Sequence, residues 1–355
     1  MKRDSGNWKP ENGEYRKRKT WRLAKRHLKR THRGFLNLVE KRVEELKPEK
    51  DDRDRFLSLS GRLPMGGAIR ASDLVARFRY ARFIAQEVRD LARASDDLDF
   101  YFLTLLADEG IMSDRTPRYL RRTLGRKADK AMRKVGLDGL YVVEVQAVTS
   151  WPRGGKGRTL LAHVHILGWK HENAPNNSAE DIKRELGWEK KRSNIPWTSR
   201  LGADPIHVRH LSEPLGCPSY WAAYLLKAPH DAKNLVPPKK ELGTFPVPKA
   251  RMMSTTKGYR PELAMRIFEL MAQIPLSSVV SGTGSGATML GRCRTLLALW
   301  DKERMARWAE DGKEWIAPFD ERAFWKRTHR KRRAKYRRFF IDGPTIKARD
   351  SGRRV

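Results

Sequence analysis

The sequence predicts an α+β protein in which helices flank an antiparallel-rich central sheet, with helical extensions at the N- and C-terminal ends. The coarse order of elements is strand, helix, strand, strand, helix, strand, helix. Short apolar or alternating segments over 100–106, 140–148, 161–169 and 206–211 predict the strands. Because a single Gly- and Pro-containing loop joins the second strand to the third, we expect these two strands to form an antiparallel hairpin.

Apolar residues at helical spacing predict the helices. The clearest stripe runs over 73–92 and predicts a helix that packs against the core. A second helix is expected from the N-cap Thr116 to the residue before Gly136, which is placed to end it. A third helix is expected over 220–227, opened by Pro218.

The C-terminal third is predicted to combine loops and helices. Residues 231–258 are rich in Pro and Lys and are expected to form a loop, whereas 261–274 and 290–309 are expected to be helical. The Gly-rich stretch 282–286 is expected to be a flexible loop. It lacks the Gly-Lys-Ser/Thr ending of a phosphate-binding P-loop, so we expect neither ATP binding there nor a helicase domain.

Charge is the most pronounced compositional feature of the chain. Its 355 residues contain 75 Lys and Arg but only 42 Asp and Glu, which gives a formal net charge of +33. Self-repulsion on this scale predicts a polyanionic partner, most commonly nucleic acid, with an anionic membrane surface or a ribosome-like assembly as alternatives. No apolar run approaches the length of a membrane span, so we expect no insertion into a membrane.

The cysteine content and the N-terminal segment bear on the cellular location of the protein. Cys217 and Cys293 are the only cysteines, which excludes a disulfide framework and a cysteine-rich zinc site and fits a reducing interior. The basic N-terminal segment lacks the apolar stretch of a secretory signal. We therefore expect a cytoplasmic, nucleoid-associated protein.

Two histidines on one predicted strand are candidate metal ligands. His163 and His165 lie two residues apart, so their side chains point to the same face of the sheet. Neutral imidazoles side by side suit a divalent metal ion. In the expected hairpin, Glu144 or Gln146 would lie close to this pair, and the connecting loop is too long to fix which of the two it is.

Two tyrosines and a lysine lie close together on one predicted helix. Tyr220 and Tyr224 are four residues apart and share a helix face, and Lys227 lies about one turn beyond Tyr224 on that side.

Three of these segments, taken in order, resemble the motifs of one superfamily. Residues 102–105 (Phe-Leu-Thr-Leu) look like the first-strand motif of rolling-circle replication initiators, and 163–165 (His-Val-His) look like their histidine-hydrophobic-histidine motif. Residues 224–227 (Tyr-Leu-Leu-Lys) look like their tyrosine motif. The resemblance is to the HUH endonucleases, particularly plasmid and phage replication proteins, and it covers about 95–232.

The resemblance implies a site and a cofactor. It implies that His163, His165 and Glu144, or Gln146 in place of Glu144, hold Mg²⁺ or Mn²⁺. It also assigns the nucleophile to Tyr224 and the motif lysine to position 227.

The second tyrosine departs from the pattern of relatives that use two catalytic tyrosines. In those relatives a lysine lies three residues after the first tyrosine, whereas here Ala223 follows Tyr220 at that spacing. We expect Tyr220 to be a packing or DNA-stacking residue, with an auxiliary catalytic role as the alternative.

The resemblance also implies a reaction. In the family, the tyrosine attacks a phosphodiester of single-stranded origin DNA, keeps the 5′-phosphate as a phosphotyrosine and frees a 3′-OH. That 3′-OH primes a host polymerase, a host helicase opens the duplex, and the phosphotyrosine is later resealed by a DNA 3′-OH. We therefore expect an initiator of rolling-circle replication.

Three alternatives remain at this point. A relaxase usually has a third histidine and a tyrosine before the histidines, whereas Tyr224 follows His163 and His165 here. An HUH transposase often has a glutamine four residues after the tyrosine, where this chain has Ala228. A non-catalytic, basic nucleic-acid-binding protein would explain the charge equally well but not the histidine, glutamate and tyrosine pattern.

Basic residues interspersed with aromatic ones predict nucleic-acid contacts near both ends. Residues 1–34 contain thirteen Lys and Arg and are expected to be a solvated, partly disordered arm before a short helix over 36–48. Residues 322–338 contain ten Lys and Arg and no acidic residue. The residues that we expect to contact DNA phosphates are Arg121, Arg122, Arg126, Lys127, Arg330, Lys331, Arg332 and Arg333.

The predicted domain organisation has five segments. A basic N-terminal arm with the short helix spans 1–60, a helical lead-in spans 68–94, and the HUH-like catalytic domain spans 95–232. A linker and helical C-terminal region follow over 233–320, and a basic tail spans 321–355.

Overall fold

A computed structural model of the chain describes residues 13–63, 66–149, 159–175, 177–187, 197–201, 203–211, 217–236, 251–255 and 259–311. Within these residues the protein is α+β, as the sequence predicts. The helices are α1 (Gly13–Leu46), α2 (Lys50–Leu59), α3 (Leu74–Ala94), α4 (Arg121–Lys134), α5 (Ala179–Gly187), α6 (Pro218–Tyr224), α7 (Pro261–Ala272) and α8 (Ser285–Asp311). The strands are β1 (Leu98–Leu105), β2 (Ile111–Ser113), β3 (Asp138–Val148), β4 (Thr159–His171), β5 (Ile206–His210), β6 (Ala232–Val236), β7 (Arg251–Thr255) and β8 (Val280–Thr283).

All described strands belong to one sheet, in the order β5-β1-β4-β3-β6-β7, with β2 paired to β4 and β8 to β3. Every described pairing is antiparallel except that of β6 with β3, which is parallel at Val148 and Lys233. The sheet is therefore mixed: antiparallel pairings predominate, as expected, but the sheet is not purely antiparallel. The reason is topological, because the chain leaves β5 at one edge and returns through α6 to run beside β3 in the same direction.

The α3 helix confirms the prediction made from its apolar stripe. Its N-cap Asp73 accepts a hydrogen bond from the Ala76 N–H at 2.9 Å. The apolar positions of the helix are buried, including Phe78, Ala81 and Val88. Packed against α6 and α8, this helix holds the tyrosine segment against the rest of the core.

The N-terminal basic segment is folded from residue 13 onward, which corrects the expected arm and short helix over 36–48. One 34-residue helix, α1, spans this region. Among its described side chains, Ala24, Leu28, Phe35 and Val39 are buried. These apolar residues recur at helical spacing, and the Lys and Arg residues between them dominate the composition, so a count of charges hides the stripe.

Several other boundaries differ from those predicted. The α4 helix begins at Arg121, not after Thr116, and α6 ends at Tyr224, so residues 225–227 form a turn. The segment 231–258 contains strands β6 and β7. The two strands were missed because sheet pairing is non-local and because the prolines of this segment all lie between the strands.

The segment 282–286, which was predicted to be a flexible loop, instead contains the end of strand β8 and the start of helix α8. Gly282 lies in β8, where a Cβ would meet the backbone of Gly286 and Ala287 at 2.7 Å. Gly284 turns the chain at φ +59°, and Asp138 then accepts hydrogen bonds from the Ser285 N–H and hydroxyl. These glycines are required for close packing and a left-handed turn.

One cluster of buried residues includes side chains from α1, α3, the sheet, α7 and α8. The domain boundaries proposed above stay a prediction, and the basic tail over 321–355 lies outside the described residues. Over the part of the chain that the structure describes, no helix has both the length and the apolar character needed to cross a membrane.

A buried ion pair joins the start of α3 to α8, and it predicts a large effect on stability. Arg304 donates to Asp73 at 2.7 Å, and both side chains are buried. We expect Asp73→Ala to lower the free energy of unfolding by about 3–5 kcal/mol, because it removes both a partner of the buried Arg304 charge and the side-chain cap of α3. Urea denaturation followed by circular dichroism measures this loss.

The matched control is Arg266→Ala, which breaks an exposed pair with Glu269 on α7. We expect it to change the free energy of unfolding by less than about 1 kcal/mol. Equal effects of the two variants would contradict the stabilising role of the buried pair.

Candidate metal centre and tyrosine site

The register of the β3–β4 hairpin brings the candidate metal ligands together. Glu144 on β3 lies directly opposite His163 on β4, and Val142 lies opposite His165. Directly paired residues point to the same face of a sheet, and so do residues two apart on one strand. Glu144, His163 and His165 therefore share one face, which the sequence left open because it did not fix the register.

The ligand atoms of Glu144, His163 and His165 converge and fit a metal ion. One ligand atom from each residue lies within 4.8 Å of the others, and all three residues are buried. The Glu144 Oε2 atom lies 3.4 Å from His163 Nε2 and 3.0 Å from His165 Nε2. Among the described residues this oxygen has no hydrogen-bond partner. A buried acceptor without a partner is costly, and a cation bound between the three atoms would remove that cost.

The histidine rings are held in the form that binds metal. His163 Nδ1 lies 3.5 Å from the Leu161 carbonyl oxygen, which only accepts hydrogen bonds, so the Nε2 lone pair can face the centre. His165 Nδ1 pairs with the Thr104 hydroxyl at 3.0 Å. Burial lowers the pKa of His163 below its usual value and lowers the pKa of His165 to about 3. Both rings are therefore neutral, as ligands must be.

The second oxygen of Glu144 is committed to other partners. Oε1 pairs with the Lys227 ammonium and accepts a hydrogen bond from Gln146 Nε2 at 3.2 Å. Burial alone would raise the pKa of Glu144, but the Lys227 ammonium holds it well below its usual value. Gln146 therefore orients the carboxylate, and it is Glu144 whose other oxygen lies beside both histidines.

Tyr224 lies beside this centre. Between centroids, its ring is 5.8 Å from the His165 ring and 5.7 Å from the Phe102 ring. The Lys227 Nζ atom is 4.7 Å from the centroid of the Tyr224 ring. Burial, and secondarily the Glu144 carboxylate, raise the pKa of Tyr224 well above its ordinary value. The structure therefore brings together Tyr224, Lys227 and the candidate metal ligands, all of which the sequence singled out.

Tyr220 is at the outer side of the same group. Its ring is stacked 6.4 Å from that of Tyr224, and burial raises the pKa of Tyr220. No described contact joins Tyr220 to the metal-ligand residues, so its position is that of a neighbour of the nucleophile candidate.

Helix α1 contributes a residue that sequence reasoning missed. The His27 ring stacks on Tyr224 at 5.3 Å between centroids with an interplanar angle of 23°, and it lies 6.3 Å from Tyr220. Burial, and secondarily Arg30, lower the pKa of His27 to about 4. No local signal marks this residue, because His27 is distant in sequence from the tyrosine and lies in a segment expected to be an arm.

Arg77 fixes the turn that carries Lys227. Its buried guanidinium donates to the Leu226 carbonyl at 2.8 Å and to the Lys227 carbonyl at 3.2 Å. His32 on α1 also contacts the Leu226 carbonyl, at 3.2 Å. These contacts satisfy the carbonyls left free where α6 ends. The position of Lys227 is thereby set by α3 and α1, which the sequence did not connect to the tyrosine motif.

A second lysine lies on the same face of the sheet. Lys233 on β6 pairs with Val148, which alternates with Glu144 and therefore shares its face. Burial, and secondarily the Lys227 charge, lower the pKa of Lys233 to about 8. The sequence analysis did not single this residue out, because β6 was expected to be part of a loop.

The basic helix α4 is not part of this site. Arg121 donates to the Ser281 hydroxyl at 3.2 Å, and Ser281 pairs with Tyr141, on the face opposite to Glu144. Lys127 pairs with Glu109, and the positions at 122 and 126 are exposed. The expected DNA contacts of Arg121, Arg122, Arg126 and Lys127 stay a prediction, and those of Arg330, Lys331, Arg332 and Arg333 lie outside the described residues.

Comparisons with known proteins find no relative of this chain: no family model, no curated protein and no solved structure matches it. The chemistry of the site is therefore argued from its geometry.

The geometry predicts binding of one divalent ion per chain. We expect His163→Ala to weaken Mn²⁺ binding by at least about 100-fold, because it removes one of three converging ligands. Thr104→Val removes only a partner that orients His165, and a loss of about 10–100-fold is expected. Isothermal titration calorimetry with MnCl₂ measures both.

His171→Ala is the control for this experiment, because His171 is an exposed histidine at the end of the same strand, paired with Asp97. It is expected to bind Mn²⁺ as the unaltered protein does. Equal affinity in His163→Ala and His171→Ala would rule out a metal centre at Glu144, His163 and His165.

Proposed function

We propose that this protein is a metal-dependent, HUH-type nickase that initiates rolling-circle DNA replication. The observation that carries the proposal is the convergence of three buried metal-ligand residues with a tyrosine and a lysine in one place. The order of the elements supports it, since the histidines lie on a central strand and the tyrosine lies on the helix that follows β5.

The proposed reaction is attack by the Tyr224 hydroxyl oxygen on a phosphodiester of single-stranded DNA. The new bond joins that oxygen to phosphorus, the bond to the 3′ oxygen breaks, and the leaving 3′ oxygen takes up a proton as the tyrosine loses its own. The products are a 5′-phosphotyrosine and a free 3′-OH. Bound at Glu144, His163 and His165, Mg²⁺ or Mn²⁺ would neutralise charge on the scissile phosphate.

Lys227 has two roles in this proposal. Its ammonium pairs with Glu144 Oε1 and lies 4.7 Å from the centroid of the Tyr224 ring. It therefore orients the carboxylate toward the histidines and favours the phenolate that develops as the tyrosine attacks. Because burial raises the pKa of Tyr224, such stabilisation is needed before the tyrosine reacts.

In this proposal the charge of the chain serves binding to DNA, and the free 3′-OH primes a host polymerase after a host helicase has opened the duplex. The place of action is the bacterial or host-cell interior. The same residues would serve a relaxase or a transposase, and the order of histidines before tyrosine favours replication.

A covalent adduct is the direct test of the proposal. Labelled single-stranded oligonucleotides that tile both strands of the replicon encoding the chain are incubated with the protein and MnCl₂ or EDTA, and then separated on a denaturing gel. We expect a metal-dependent adduct on one strand. Tyr224→Phe is expected to reduce its formation by at least about 10⁴-fold, because the nucleophile is removed.

Tyr141→Phe is the control, because Tyr141 points to the opposite face of the sheet. It should form the adduct at the unaltered rate, and Tyr224→Phe should keep its salt-dependent binding to DNA. Absence of an adduct on every strand, or an adduct that survives Tyr224→Phe, would refute the proposed function.

The stacking of His27 on Tyr224 predicts a positioning effect. We expect His27→Ala to slow adduct formation by about 10–100-fold with little change in the apparent affinity for DNA, because the ring that orients the nucleophile is lost. His27→Phe keeps a flat ring and should restore most of the rate. Single-turnover adduct kinetics measure the effect, and a His27→Phe variant as slow as His27→Ala would exclude stacking as the cause.

A further inference from the structure

A row of side chains leads from the edge of the sheet to the candidate metal centre. Strand β5 lies at one end of the strand order, next to β1 and then β4. His207 on β5 lies opposite Thr104 on β1, which lies opposite His165 on β4. All three share one face. The edge strand is two strand spacings, or about 10 Å, from the strand that carries the histidines.

Along this row aromatic rings contact one another in tilted and edge-to-face arrangements, and the outermost ring contacts an arginine. Arg209 on β5 lies opposite Phe102 on β1. The ring of Trp221 on α6 is 4.4 Å from Phe102 between centroids, and the Arg209 Cζ atom is 5.4 Å from the Trp221 centroid. Trp221 also contacts Tyr224 edge-to-face, with a centroid separation of 5.4 Å. These contacts therefore join the sheet edge to the candidate nucleophile.

Arg209, the residue of this series that lies on the edge strand, is exposed. Among the described residues no carboxylate forms an ion pair with it, and its described side-chain contact is the one with Trp221. A guanidinium is planar, stacks on rings with its face and binds phosphate oxygens with its edge. Unpaired bases stack on aromatic rings and on arginine planes.

We propose that Arg209 and Trp221 form a stacking subsite for an unpaired nucleobase of the strand that Tyr224 attacks. This inference rests on the proposed function, since it names the part of the substrate that reaches the tyrosine from the sheet edge. The base stacks on the outer face of the Arg209 guanidinium, and a phosphate of the same strand meets its edge. A base held there places the neighbouring phosphodiester toward Tyr224 and the metal-ligand residues.

Separating stacking from charge is the aim of the experiment. Two fluorescently labelled, twelve-nucleotide strands of equal charge are compared in EDTA: oligo-dT, and a strand of the same length that has abasic sugars throughout. Fluorescence anisotropy gives the dissociation constant of each strand. The ratio of the two constants reports the contribution of the bases alone, and it does not depend on cleavage.

We expect the unaltered protein to bind oligo-dT more tightly than the abasic strand. Arg209→Lys keeps the charge but removes the planar group, so it should lower that preference by about fivefold or more and leave binding of the abasic strand unchanged. Trp221→Ala should lower the preference similarly, and Trp221→Phe should restore most of it. Because Arg209 is exposed, its variant tests the subsite even where Trp221→Ala fails to fold.

The matched control is Arg266→Lys, which makes the same change at an exposed arginine on α7 and should keep the preference. The subsite is refuted where the unaltered protein shows no preference for bases, or where Arg209→Lys and Trp221→Ala both keep it. Failure of the nickase proposal shows itself separately, as the absence of a covalent adduct in the presence of Mn²⁺.

Discussion

The antiparallel register of β3 and β4 is the constraint on which the rest of the site depends. It places Glu144 opposite His163, and the alternation of side chains adds His165 to the same face. A slip of one residue would put a valine, Val143 or Val145, opposite His163 and would turn Glu144 to the other face. Slippage is disfavoured because both strands are buried almost throughout, so each side chain has a fixed set of neighbours.

The two carboxylate oxygens of Glu144 contact different groups of residues. One oxygen faces the histidines, and the other pairs with Lys227 at the end of the tyrosine helix. Burial keeps His163 and His165 neutral. Glu144 supplies one negative charge and Lys227 one positive charge, so the net charge of these four residues is zero without a metal ion. A divalent cation would give them a net charge of about +2, which suits the binding of a phosphodiester. Through the two oxygens of Glu144, a cation held beside the histidines would be linked to the position of the tyrosine segment.

The topology of the sheet explains why α6 is close to the metal-ligand residues. Strand β5 lies at one edge and β6 lies beyond β3, so the connection between them has to cross the sheet, and α6 is in that connection. Helices α1 and α3 then pack against α6, and they supply His27, His32 and Arg77 to the tyrosine and to the turn that follows it. The N-terminal basic segment is thus part of the structure around the tyrosine, in addition to any role of its charge.

The sequence alone determined the α+β class, the β3–β4 hairpin and the candidate residues, because alternation, helical spacing and short motifs are local signals. Of these candidates, His163, His165, Tyr224 and Lys227 lie close together in the structure. Only the tertiary structure placed Glu144 directly opposite His163 and Gln146 opposite Leu161, because register is set by the packing of whole strands and not by either residue. The strands β6 to β8 and the contact of His27 with the tyrosine were likewise decided by long-range packing, which no local pattern encodes. The apolar stripe of α1 is a local signal, and the many basic residues of that segment hid it.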